Sequence, residues 1–191
     1  MRLVLASTSS YRAELLGRLG VAFEVAAPGV DETPRPGESA ARLAARLALA
    51  KAEAVAAQFP GCWVLGSDQA VACGGRLLGK PGTAAANREQ LTMLSGQSAD
   101  FATAIALVGP TATTPMTDLD VTVARFRHLD AAEIARYVEA EAAVDCAGGF
   151  RIEGLGISLF EEVSSKDPTA LIGLPLIATR RLLSRAGFAI P

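Results

Sequence analysis

Five groupings of hydroxyl and charged residues could do chemistry, and each suits work on phosphate. Ser7-Thr8-Ser9-Ser10-Tyr11-Arg12 joins an apolar strand pattern to a helix pattern. Helix N-terminal N–H groups point outward and attract anions, and Arg12 adds a cation there. The same pattern also fits a serine-capped helix with a surface arginine. Asp31-Glu32 sits in a proline-bounded loop. Two carboxylates suit Mg²⁺, which takes oxygen ligands and keeps several waters, although solvated loop acids are the commoner use. Lys51 falls on the apolar side of a long helix pattern. There it must find a partner, snorkel to water or meet a phosphate as a point charge. Asp68 closes the apolar run Cys62–Leu65 after two small residues, Gly66 and Ser67. Ligands gather at strand ends in α/β folds, where an aspartate can activate water or bind the metal that does so. A turn aspartate bonded to its own backbone has the same signature. Lys80 is fixed between Gly79 and Pro81, as a phosphate ligand or as part of a plain surface turn.

Together these groups supply what phosphoryl chemistry needs. Cations neutralise oxygens, carboxylates hold a metal, and a carboxylate or the metal activates water. No GxxxxGK[ST] phosphate loop, GxSxG nucleophile elbow or convincing Cys/His pair competes with them.

The elements that must position them are legible in outline. Arg2–Ala6 reads as a strand, Tyr11–Leu19 as a helix capped by Ser9 or Ser10, and Phe23–Ala27 as a second strand. Glu38–Phe59 reads as a long helix, with Leu43, Leu47, Ala50 and Ala54 as its stripe. A strand is expected to end at Gly66-Ser67-Asp68-Gln69, and a hairpin to turn at Gly74-Gly75. Ala84–Leu94 is a helix, and Phe101–Val108 and Asp118–Phe126 alternate like paired strands. Asp130 and Glu133 form a capping box for a helix to about Ala140. Short strands are expected at Phe150–Ile152 and Gly156–Glu161, then a closing helix over Pro175–Ala186. Helices and strands intermix, so the fold class is α/β.

The 191 residues suit one domain, or two lobes sharing a cleft, and half of them are apolar. A net charge of −2 excludes a broad footprint for a nucleic-acid polymer. Three scattered cysteines, no secretory signal pattern and no apolar run of membrane-spanning length point to the reduced cytoplasm, away from membranes. A single histidine argues against a histidine-rich zinc site.

The order of these motifs resembles the Maf family almost end to end. Leu5-Ala6-Ser7-Thr8-Ser9-Ser10-Tyr11-Arg12 is similar to its opening signature, with Ser10 where proline is usual. Asp31-Glu32, Lys51-Ala52, Gly66-Ser67-Asp68, Gly79-Lys80-Pro81, Leu94-Ser95-Gly96, Cys146-Ala147-Gly148 and Gly173-Leu174-Pro175 follow in the family's order. The resemblance implies an elongated fold like the inosine triphosphate pyrophosphatases, with a mixed sheet, two lobes and a deep central cleft. It implies hydrolysis of a nucleoside triphosphate to monophosphate and pyrophosphate with Mg²⁺ or Mn²⁺, and a homodimer. Ser7 and Arg12 match its phosphate loop, Lys51 and Lys80 its cleft lysines, Glu32 a metal carboxylate, and Asp68 the proton acceptor, which also serves the metal. Tyr11, Gln69 and Glu153 match the branch acting on 7-methyl-GTP. The alternatives are dTTP or UTP as substrate, or a non-catalytic nucleotide-binding regulator of cell division.

Overall fold

A computed structural model describes residues 1–110 and 114–191. The elements are β1 (Leu3–Ala6), α1 (Ser10–Gly17), β2 (Glu24–Ala26), α2 (Ala40–Ala56), β3 (Trp63–Cys73), β4 (Arg76–Leu78) and α3 (Ala84–Leu94). β5 (Ser98–Val108), β6 (Met116–Phe126), α4 (Ala131–Ala140), β7 (Phe160–Ser164) and α5 (Leu176–Arg185) follow. Among the described residues the strands form one mixed seven-stranded sheet, ordered β2-β1-β3-β5-β6-β7, with β4 paired to β3 outside that path. β1 runs parallel to β2 and β3, and the other pairings are antiparallel. The expected α/β class and mixed sheet are therefore observed.

Local chemistry explains most of the elements. All four residues of β1 are buried, as befits a parallel strand between two neighbours with both faces covered. Gly74 and Gly75 adopt φ of 56° and 79°, the left-handed pair that a tight β3–β4 hairpin requires. The capping box of α4 is complete: Glu133 N donates to Asp130, and Asp130 N donates to Glu133.

Three apolar cores organise the described residues. One lies between α2 and one sheet face, built on Val4, Ala6, Leu43, Leu47 and Val55. A second lies on the opposite face, where α1 and α5 cover Leu5, Leu65, Ile105 and Leu107. A third joins the far ends of β5 and β6 to α3 and α4. There Phe101, Phe126, Phe150 and Phe160 meet in mostly edge-to-face pairs.

Three expectations need correction. The strand expected to end at Gly66–Gln69 does not end there; β3 runs on to Cys73 and pairs with β5 from Val64 to Cys73. The small residues that read as a terminus reflect a close helix instead: a methyl at Gly66 would collide with the Ala48 carbonyl of α2. The buried stripe of α2 passes through Ala44, Ala48, Lys51, Ala52 and Val55, whereas Ala50 and Ala54 are only half-buried. The strand expected at Phe150–Ile152 is absent, and of the one expected at Gly156–Glu161 only Phe160 and Glu161 are extended, as the start of β7. Ala147–Gly149 and Leu155–Leu159 form 3₁₀ turns, and only β7 is extended. Gly148 and Gly149, at φ of 84° and 76°, break any extended run before Phe150.

Candidate active site

The sheet is split where the site lies. β1 pairs with β3 as far as Gly66, and β4 takes over the same edge only at Val71. Ser67–Ala70 therefore face an open gap on that edge, while β5 holds the other edge rigid. The chain leaves β1 into Ser7–Arg12 and leaves β4 into Gly79–Gly82, so the two polar loops flank the gap. A cleft of about 790 Å³ fills this space. Ser7, Tyr11, Arg12, Glu32, Lys51, Asp68, Gln69 and Lys80 all line it.

The close contact of α2 at Gly66 brings Lys51 over Asp68. Lys51 is 5% exposed, and its Nζ donates to Asp68 Oδ1 at 2.6 Å and meets Glu32 Oε1 at 2.6 Å. Lys51 thus takes the partnered option, not the snorkelling one. Burial pushes the Asp68 carboxyl above its ordinary range, with Lys51 and Arg12 pulling the other way. Burial also raises Glu32, but the Lys51 bond and the charges of Lys51, Lys80 and Arg12 outweigh it and leave its pKa lowered. Burial lowers the Arg12 guanidinium, which stays cationic at any working pH.

Of the acidic pair in the proline-bounded loop, only Glu32 reaches the cleft. Asp31 turns back and accepts from Thr33 N and Thr33 Oγ1 at 2.9 and 2.6 Å. The loop is pinned from α2. Arg46 donates twice to Glu38 at 2.7 Å and once to the Thr33 carbonyl at 3.1 Å.

Around Arg12, Ser9 caps α1 by accepting from Arg12 N, and Arg12 Nε donates to the Gly173 carbonyl at 3.0 Å. Ser7 is buried and accepts from Ser9 N at 3.1 Å, which shapes the loop. Ser67 Oγ also donates to the Gly173 carbonyl at 3.0 Å, so Gly173-Leu174-Pro175 braces the cleft from behind.

Beside the cleft lies a smaller pocket lined by Tyr11, Gln69, Phe150, Arg151, Glu153 and Leu171, among others. Tyr11 and Gln69 line both spaces, whereas Glu153, which is exposed, lines only the smaller. Gln69 Nε2 donates to Thr103 Oγ1 at 2.9 Å and to the Ala170 and Leu171 carbonyls at 3.0 and 3.1 Å. Thr103 in turn donates to Ala170 O at 2.9 Å, which fixes the amide orientation. The nitrogen of Gln69 is committed to the protein, so its oxygen is the group left to read a ligand. Two further residues belong to the site without a signal in the sequence: Thr103, which orients Gln69, and Asp145, which lines the cleft and accepts from Arg151 at 3.0 Å. A threonine in a strand and an acid in a loop carry no signal in one sequence.

The family model described as "Maf-like protein" matches residues 2–186. The chain belongs to the Maf family. A protein of Xanthomonas axonopodis pv. citri named 7-methyl-GTP pyrophosphatase is 56% identical over 190 residues, covering 100% of this chain and 99% of that one. A protein of the same name from Albidiferax ferrireducens is 50% identical, covering 99% and 95% of the two chains. Among solved structures, a HAM1 protein from Coxiella burnetii aligns with a TM-score of 0.49 and 25% identity, over 68% of this chain and 74% of that one.

Proposed function

We propose that this chain is a cytoplasmic nucleoside triphosphate pyrophosphatase that hydrolyses 7-methyl-GTP to 7-methyl-GMP and pyrophosphate. One observation carries the reading. Arg12, Lys51, Lys80, Glu32 and Asp68 line a single cleft, which shares Tyr11 and Gln69 with the pocket bearing Glu153. Relatives covering nearly their full length bear the corresponding name.

The roles follow from the chemistry of each group. Arg12, Lys80 and those N–H groups of the Ser7–Arg12 loop that Leu5, Ser7 and Ser9 do not already bind neutralise the triphosphate. A water oxygen bonds to the α-phosphorus, the bond to the bridging oxygen breaks, and pyrophosphate leaves. Asp68 accepts the water proton. Its burial makes it a stronger base than a free aspartate, and Lys51 holds it in place. Glu32 and Asp68 converge on one ammonium, so they suit a shared cation. With only two carboxylates, a Mg²⁺ or Mn²⁺ there would take its other ligands from water and phosphate, and would add charge neutralisation.

In the side pocket, 7-methylguanine presents a positive imidazole ring. Tyr11 offers it an aromatic face, worth about 0.5–2 kcal/mol. Glu153 and the Gln69 oxygen are acceptors for the N1–H and N2–H₂ donors of the base, and the Glu153 charge suits a cation.

A panel of 7-methyl-GTP, GTP, dTTP and UTP with pyrophosphate detection tests this. The highest kcat/KM is expected for 7-methyl-GTP. Preference for dTTP or UTP would overturn the base assignment. Nucleotide binding without pyrophosphate release, with Mg²⁺ or Mn²⁺ present, would make the chain a binding regulator instead.

A further inference from the structure

We infer that Glu141, the residue ending α4, is a positioning residue that sets base selectivity by holding the Arg151–Gly156 loop so that Glu153 faces the smaller pocket. This rests on the base reading above.

The loop is tied to α4 and its tail at several points. Glu141 Oε2 accepts from Gly156 N at 3.1 Å. A methyl at Gly154 would collide with the same carboxylate, so Glu141 lies in the place of that missing side chain. Gly156 is as tightly enclosed. Its N–H also reaches the Arg151 carbonyl at 3.0 Å, and a methyl there would strike the Arg151 backbone. One turn earlier on α4, the Tyr137 hydroxyl accepts from Arg151 N at 3.1 Å. Arg151 then donates to the Ala142 carbonyl at 3.3 Å and to Asp145 at 3.0 Å.

The anchors are rigid while the tip is not buried. Tyr137 is 5% exposed and packs in the third core, and α4 is fixed by its capping box. Arg151, Gly154 and Gly156 are held, and Glu153 projects from between them as an exposed residue. Glu153 has no rigid element of its own. Its place follows from where the glycines rest on Glu141. This accounts for the spacing Glu153-Gly154-Leu155-Gly156, in which each glycine admits a group that a side chain would displace. Glu141 lines neither space, so it acts through the loop and not on the nucleotide.

The experiment compares Glu141→Ala, Glu141→Gln, Tyr137→Phe and Glu153→Ala by steady-state kinetics on 7-methyl-GTP and dTTP. Glu141→Ala is expected to raise KM for 7-methyl-GTP about tenfold with kcat within about twofold, because binding is lost and chemistry is not. Its preference for 7-methyl-GTP over dTTP narrows by a similar factor. Glu141→Gln keeps an acceptor oxygen and the volume, and restores most of the preference. Tyr137→Phe keeps the core ring, loses one loop bond and gives a smaller rise in KM. It decides the matter should Glu141→Ala fail to fold. An unchanged KM in Glu141→Ala, or in Tyr137→Phe where Ala does not fold, overturns the inference, provided Glu153→Ala does narrow the preference. An equal fall in kcat on both nucleotides also overturns it, as the mark of general damage. If Glu153→Ala itself leaves the preference unchanged, the base reading fails first.

Discussion

Replacing Asp68 by asparagine separates catalysis from stability at one atom. In the general-base role, its loss costs about 10²–10⁴ in turnover, or about 3–5 kcal/mol on the barrier. Stability behaves differently. The new amide keeps an oxygen for the Lys51 bond now made at 2.6 Å, and gives up the charge assistance, worth about 1 kcal/mol. Against that, the substitution removes a buried negative charge whose burial outweighs the pull of its cationic neighbours. The two effects nearly offset, so stability is expected within about 1 kcal/mol of the parent, a Tm shift of at most about 2–4 °C. The sign depends on pH. Asp68 titrates above its ordinary 3.8 in the folded chain, so its charged form is disfavoured there. That penalty is absent at low pH, where the carboxyl is protonated in both states, and develops as pH rises through the folded pKa. Any advantage of the Asp68→Asn variant should therefore appear near pH 7 and vanish near about pH 4. Pyrophosphate release and thermal unfolding, the latter with chelator and no nucleotide, measure both quantities. Turnover within tenfold of the parent would remove Asp68 from the proton transfer. A Tm fall well beyond about 4 °C would show that the aspartate is chiefly structural.

Four more expectations follow from the same geometry. Glu153→Gln should relax base choice and leave phosphate chemistry intact, so an equal loss on every nucleotide in the panel argues against its role. A chelator should stop turnover and added Mg²⁺ or Mn²⁺ restore it; full activity in chelator would exclude the shared-cation role of Glu32 and Asp68. Gly66→Ala should lower Tm by roughly 3–10 °C, because its methyl strikes the Ala48 carbonyl and overpacking costs about 1–3 kcal/mol; an unchanged melt would mean that α2 does not sit so close. The two Arg46 bonds and the Arg35 N–H pull the Glu38 carboxyl from 4.5 to about 2. Its stabilisation is present above the unfolded pKa and is lost as pH falls through about 2. The Tm gap between parent and Glu38→Gln should be widest near neutrality and close in acid, and a gap that persists there would separate Arg46 from Glu38.

Most elements were legible because each carries a local cause. Ser9, Asp130 and Gly74-Gly75 announce caps and a turn through their own chemistry, and β6 alternates between buried and exposed. Misreadings arose where a distant partner set the local structure. Gly66 and Ser67 read as a strand end because nothing nearby in sequence reveals α2 pressing on β3. Phe150–Ile152 and the start of Gly156–Glu161 read as strand because apolar residues between glycines fit that pattern, whereas the positive φ of Gly148 and Gly149 and the Glu141 contact bend the chain before β7 begins at Phe160. Asp31 and Glu32 were indistinguishable as types, and only the Thr33 turn assigns one of them to the backbone. The site residues were individually ambiguous; their order along the chain, matched to a family, made them a set.

The gap in the sheet explains why residues so far apart in sequence form one site. A strand paired on both edges has no room for a ligand beside its backbone. β3 is paired on both edges except between Gly66 and Val71, and Asp68 and Gln69 fall in that interval. Successive strand residues point to opposite faces. Asp68 therefore turns toward α2 and meets Lys51, while Gln69 turns to the other face and meets Ala170 and Leu171. The two neighbours thereby divide the work proposed for the site. In that proposal Asp68 serves the phosphates and the water and Gln69 the base, and the open edge between them would let a single nucleotide reach both. Were β1 two residues longer, it would pair across Asp68 and close the edge that joins the two faces.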